Sequence, residues 1–423
     1  MKMQLNTTEL ISVRWVIDKW VCETPQYDNN PEMGGKYFIH YSVYLTGEDG
    51  SPVENNIIQI YSSIRSQILD NVIITTDPDD GSYPRILNPV GDFIDIASDG
   101  NGKFNFRVYP MENTPLILQI GCKLPYTQVY YPSENVYIIT PKSQSIGNYL
   151  SPPFVSSIVD GKLMATGSQQ TFNVGINSYD LHSSTDVVIF FTDKSGHISP
   201  AYNVGEEPGF FSLYYDDFLP LDSESNLYYA IIKSSGESQY SSVLPIVYGG
   251  GGDNKPSPDF SRPLACPTIY DSYAVPPFGS NDDDSIINSG DIVNIDSIYN
   301  HSNNGGTALF VKVVGTNDIS NSSKPQFGDE VVLVIYVNSF NKTIHAKFPA
   351  EMVSFTPDAD NKRESTTIIK IPYDMLVDIE PYPENKNPPR IYFEYYVDTQ
   401  GIRTYSQYWE AKISTVAPSS KIL

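Results

Sequence analysis

The chain has 423 residues, 40% of them apolar and 18% charged. At about 100–200 residues per domain that length holds a few cored domains, and the balance excludes a solvated disordered polymer. Fifty acidic against 27 basic residues leave a formal charge of −23, a field that repels phosphate backbones and anionic lipid, so nucleic acid is not an expected partner. On a large β surface the same charge keeps exposed edges from pairing; the alternatives are cation binding or a basic partner.

Thirty-one Tyr and 19 Phe, with 32 Pro and 28 Gly, suit pleated, half-buried faces joined by tight turns. No stretch holds an apolar stripe at helical spacing for three turns. The fold class is therefore expected to be all-β. The N-terminus shows no apolar leader, and no stretch is long or apolar enough to insert in a bilayer.

Region 1–148 opens with an alternating run that puts Tyr37, Ile39, Tyr41, Val43 and Leu45 on one face, and Phe38, His40, Ser42, Tyr44 and Thr46 on the other. A turn at Gly47–Pro52 leads to the strand Asn56–Tyr61. The turn Asp99-Gly100-Asn101-Gly102 opens the strand Lys103–Tyr109, and Pro115–Ile120 gives another. The Ser-, Gly-, Asn- and Pro-rich stretch Pro141–Pro153 reads as a linker into region 149–248. Four glycines followed by Asp253-Asn254-Lys255-Pro256-Ser257-Pro258 make 249–261 a flexible joint. The third region is 262–416, and 417–423 is a polar tail.

The second and third regions carry the same elements in the same order. An acidic-led apolar strand (Asp186–Phe191; Asp329–Tyr336) is followed by a Tyr-Asp corner (Tyr215–Leu219; Tyr373–Leu376). An aromatic strand follows (Leu227–Ile232; Ile391–Tyr396), then a Tyr-Ser closing strand (Tyr240-Ser241; Tyr405-Ser406). Strands apolar on both faces belong inside a sheet, and the pattern fits a Greek-key sandwich. In the closing hairpin Tyr405, Trp409, Ala411 and Ile413 are expected to face the core, while Ser406, Glu410 and Lys412 face water. The corner tyrosine is expected to bond back to nearby backbone, as in a tyrosine corner.

The run Gly328-Asp329-Glu330-Val331-Val332-Leu333, with the Tyr396–Tyr405 hairpin, resembles the Ig-like repeats of large bacterial surface and secreted proteins. Ser51-Pro52-Val53 and Asp99-Gly100-Asn101-Gly102-Lys103-Phe104 are similar to strand openings in the Ig-like modules of invasin/intimin-type adhesins. The resemblance implies tandem immunoglobulin-like β-sandwiches, secreted or displayed on a cell, that adhere to a protein or glycan. A structural subunit of a self-assembling filament or inclusion, and so a homo-oligomer, is the alternative; a toxin-associated receptor-binding component is another.

Catalytic signals are absent from the sequence. His40, His182, His197, His301 and His345 share no metal-ligand spacing, and the glycine run opens no phosphate loop. Among fifty acids no carboxylate pair stands out. The expectation is no enzyme and no cofactor, with one exception to weigh. The loops holding Asp77, Asp79 and Asp80, and Asp282, Asp283 and Asp284, offer oxygens to Ca²⁺ or are solvated turns in which Asp caps its own backbone. Cys22, Cys122 and Cys266 are too few for a disulfide framework; buried free thiols are expected, and a Cys22–Cys122 pair stays open. Two Tyr/Pro-rich segments, carrying Tyr126, Tyr130 and Tyr131, and Tyr270, Tyr273 and Phe278, either form contact surface or wrap a sandwich edge.

Overall fold

A computed structural model describes residues 10–47, 52–54, 56–62, 70–78, 82–99, 102–125, 127–144, 149–156, 158–159, 161–278, 280–349, 351–358, 363–383 and 389–416. Asp79, Asp80, Gly100, Asn101, Tyr126 and the tail 417–423 lie outside them. The chain divides into two compact units: residues up to Ala165 with Gln170–Gly250, and Thr166–Gln169 with the chain from Gly251.

The first unit begins with two four-stranded sheets. One orders its strands Leu10–Ile17, Ile39–Gly47, Lys103–Pro110 and Val72–Thr76; the other Tyr131–Pro132, Ile120–Lys123, Ile57–Ser62 and Ile94–Ala97. The alternation read from sequence decides what they bury. Ile39, Tyr41, Val43 and Leu45 are buried from one strand, and Phe104, Phe106 and Val108 from its neighbour, all in one core. On the opposite face His40 and Arg107 both meet the Asp77 carboxylate.

The 149–248 region pairs a three-stranded sheet (Phe154–Val155, Thr171–Gly175, Phe210–Tyr214) with a seven-stranded one. Within the latter the strands Val187–Thr192 and Glu224–Ile232 run antiparallel, and Val188, Phe190, Leu213, Tyr229 and Ile231 fill the core between the sheets. The other face of those two strands is also apolar. Val187, Ile189, Ala230, Ile232 and Tyr240 pack on Val21, Tyr137 and Ile139, which come from a small third sheet (Val21–Glu23, Val136–Ile139, Leu116–Leu118). That shared cluster explains why the strand reads as apolar on both faces. It also ties the first two regions together, so Pro141–Pro153 links packed partners.

In the second unit a four-stranded sheet faces a seven-stranded one across a core that includes Ile269, Val311, Leu333, Ile335, Phe393 and Trp409. The strands Glu330–Asn338 and Arg390–Thr399 run antiparallel, and Ile292–Asn294 pairs parallel with Trp409–Ser414 at the sheet edge. Hydrogen bonds seen in the 149–248 region recur here. Asp186 accepts from the Ser183 amide through its side chain (3.0 Å), as Asp329 does from that of Gln326 (2.6 Å). The Tyr229 amide donates to Ser241 Oγ, and the Tyr395 amide to Ser406 Oγ, each at 2.9 Å. Leu150 and Leu264 each form a parallel bridge to that same serine. Facing antiparallel sheets closed by short parallel edge pairs make the chain a tandem immunoglobulin-like β-sandwich protein.

Three expectations need correction. The glycines at 249–251 are not a loose joint: the strand Leu244–Gly251 includes them, and a Cβ at Gly249 would meet Met164 Sδ at 2.5 Å. Ser406 does not face water; an irregularity between Ile402–Tyr405 and Trp409–Ser414 reverses the alternation, burying Ser406 on its backbone partner while Tyr405 turns to the outer face. The Tyr-Asp corners are single α-helical turns, Tyr215–Phe218 and Tyr373–Leu376, whose rings stack on Tyr248 and His301; among the described residues neither hydroxyl bonds back to the chain.

Candidate functional site

The residues expected to form surface sites divide by burial. Tyr270 is buried and stacks on Phe278 at 4.0 Å, with Phe310 beside them, so these rings cover a sheet. Tyr131 packs half-buried against the first core. Tyr130 and Tyr273 do reach solvent, at 46% and 50% exposure. Tyr130 leans edge-on against Tyr61, with the Lys123 ammonium 5.6 Å from its ring. The strand that ends at Tyr270 pairs with Ile286–Ile287, and the Asp271 amide donates to the Ser285 carbonyl, so these covering rings lie next to the turn that holds the second acidic loop. Both Asp77 oxygens are already engaged, one by the Arg107 guanidinium and the other by His40 Nε2. Asp282, Asp283 and Asp284 lie in the 3-10 turn Ser280–Ser285, where Asp283 and Asp284 are exposed. Among the described residues no three His, Cys, Asp or Glu side chains converge as a metal site requires. Cys22 and Cys122 are free and buried, and burial pushes both thiols up to about 12.

A different site assembles on the outer face of the third sandwich, from residues read in sequence as linker. After Gly252 the chain runs across this face as a strap. The Asn254 Nδ2 donates to the carbonyls of Val337 (3.0 Å) and Ile344 (2.9 Å) and to Asn338 Oδ1 (3.1 Å), while Asn338 Nδ2 donates back to the Asn254 carbonyl at 2.7 Å. At the other end Phe260 stacks on Tyr405 at 4.6 Å. Arg262 donates through Nη1 to Glu394 Oε2 (2.6 Å) and the Ser406 carbonyl (2.7 Å), and through Nη2 to the Ser257 carbonyl (2.9 Å). The Tyr336 hydroxyl donates to the other Glu394 oxygen at 2.6 Å. Glu394 is fully buried, so both of its oxygens need such partners.

Beside the Asn254 anchor lies an open groove of about 740 Å³, walled by the strap at Asp253–Lys255 and by Tyr382, Arg390 and Tyr392. Lys255 pairs with Asp253 at 3.0 Å, and the lining Arg390 pairs with Glu410, which lies outside the lining. Tyr382 is 39% exposed and Tyr392 half-buried. The polar run Asp253-Asn254-Lys255 was the visible signal; nothing local to it announces Tyr382 or Arg390, which the sheet brings alongside.

No family model matches the chain, and no curated protein does. Solved structures similar to it include the D0–D1 domains of intimin, at 10% identity over 55% of this chain and 97% of that one, with a TM-score of 0.22. The C-terminal 282-residue fragment of intimin, solved with the intimin-binding domain of the translocated intimin receptor, is 12% identical over 85% of this chain and all of that one (TM-score 0.20). Domains 5–6 of the S-layer protein SbsC are 9% identical over 57% and 99% (TM-score 0.18). Identities and scores this low make them likenesses in strand-rich architecture, without bearing on what this chain binds.

Proposed function

We propose that the chain is a non-catalytic recognition protein of three Ig-like modules, 1–148, 149–248 and 262–416, secreted or displayed, that adheres to a protein or glycan. The observation that carries this reading is the groove on the third sandwich: an open, polar, tyrosine-bearing surface whose amides are fixed by hydrogen bonds to a sheet. Rigid placement of adaptable polar groups and exposed rings suits surface binding, since little side-chain freedom is lost on contact. The test is saturable binding of the full chain to cells, glycans and extracellular proteins. Absence of binding to all three would remove the proposal.

Assembly into a filament or inclusion is the second reading. It is favoured by Phe154 and Phe210, 39% and 58% exposed, which meet edge-on at 5.2 Å on the outer surface of the three-stranded sheet. Light scattering separates the two readings, because a recognition module stays small where a structural subunit grows with concentration. Ca²⁺ at Asp282–Asp284 remains a proposal as well, and calorimetric titration without heat would remove it.

A further inference from the structure

We propose that the groove between the strap and Arg390–Tyr392 binds a neutral, hydroxyl-rich saccharide; this rests on the recognition reading and names its ligand class. Among the described residues the charges lining the groove have opposite charges beside them: Asp253 stands 3.0 Å from Lys255, and Arg390 is paired with Glu410, so they offer little net charge to attract an ion. The Asp253–Lys255 pair instead sets an acceptor beside a donor at hydrogen-bond spacing, the pattern that neighbouring ring hydroxyls, themselves both donor and acceptor, complete. An anionic sugar has less to gain here, because the chain carries −23 overall.

The amides add to the argument. Asn254 and Asn338 are held by their mutual bonds and by the carbonyls of Val337 and Ile344, so the polar floor is set before a ligand arrives. Tyr382 and Tyr392 supply ring faces for the C–H side of a pyranose, and Tyr382 is exposed enough to take one. The groove is open rather than enclosed, which suits a terminal sugar of a larger glycan more than a small metabolite.

The experiment applies the full chain to a glycan array and follows the best neutral saccharide by calorimetry. Tyr382→Ala and Lys255→Ala, both changes at exposed side chains, are then compared with the parent. The expected result is saturable binding to neutral saccharides, weakened at least about tenfold by Tyr382→Ala and measurably by Lys255→Ala, with melting temperatures unchanged. Binding only to charged glycans, or saccharide binding that neither substitution weakens, overturns the assignment. Adhesion to cells or to a protein without any saccharide binding also overturns it, yet leaves the recognition reading standing. Failure on glycans, cells and proteins together removes both.

Discussion

The second and third sandwiches share their internal bonds and differ in what covers them. In both, an aspartate braces the start of the long strand, and a buried serine hydroxyl accepts from an aromatic residue's amide. In the second sandwich Phe191 lies opposite Tyr228, and the outer face is sealed by Val21, Tyr137 and Ile139. In the third, Val334 lies opposite Glu394, and the cover is a strap whose Arg262 neutralises that carboxylate. The shared bonds define the sandwich, while a single residue on the outer face, tyrosine or glutamate, decides whether the cover is apolar or ionic. An apolar cover stabilises in proportion to area. An ionic one demands a specific partner, because a buried charge without one is strongly destabilising.

Breaking the ionic cover has the largest expected effect. Arg262→Ala leaves Glu394 buried with only Tyr336, and is expected to lower the stability of the third sandwich by about 3–5 kcal/mol, read as a shifted urea transition. Replacing both partners, as Arg262→Met with Glu394→Leu, is expected to recover most of that loss. An unmoved transition in Arg262→Ala would show that the strap does not hold this face. Ile189→Ala tests the apolar cover and is expected to cost about 2–5 kcal/mol. Its signature is loss of hydrogen-exchange protection in Val136–Ile139 of the neighbouring region as well as in its own strand. Unchanged protection at 136–139 would mean that the two regions are not packed on each other.

The aspartate brace gives a smaller, pH-dependent effect. Burial opposes the Asp186 charge, but bonds from Lys233, Tyr179 and the Ser183 amide outweigh it and hold the carboxyl below its ordinary value. A depressed carboxyl contributes stability that is present above its unfolded value, about 3.9, and is lost as pH falls through its folded value. Asp186→Asn is therefore expected to cost about 1–3 kcal/mol at neutral pH and to flatten the acid limb of the first unit's stability curve. An acid limb as steep as the parent's would show that another group causes it.

Most of the sandwich plan was legible because it is periodic. Ile39 to Leu45, and Phe104 to Val108, send every second residue into one core, and the Asp-led strands run apolar where both faces are covered. What escaped reading depends on partners distant in sequence. Asp253 to Arg262 is rich in turn residues and looks like a joint, and only the folded third sandwich supplies the carbonyls and the carboxylate that fix it. Ser406 lies inside because an irregularity of the strand reverses the alternation, and sequence carries no mark of it. Tyr270 and Phe278 look like contact surface until Phe310 is seen beneath them.

The smallest effect concerns the corners. The Tyr373 ring lies flat on His301 at 3.5 Å, so stacking area rather than a hydroxyl bond fixes the turn. Tyr373→Phe keeps that area and is expected to change stability by less than about 0.5 kcal/mol. Tyr229→Phe is the contrast, because its buried hydroxyl donates to the Ser151 carbonyl at 3.0 Å and its loss is expected to cost about 1 kcal/mol. Paired thermal melts read the difference. A Tyr373→Phe loss as large as that of Tyr229→Phe would return the hydroxyl to the corner and make the tyrosine-corner bond, rather than the stack, the feature that ends the strand.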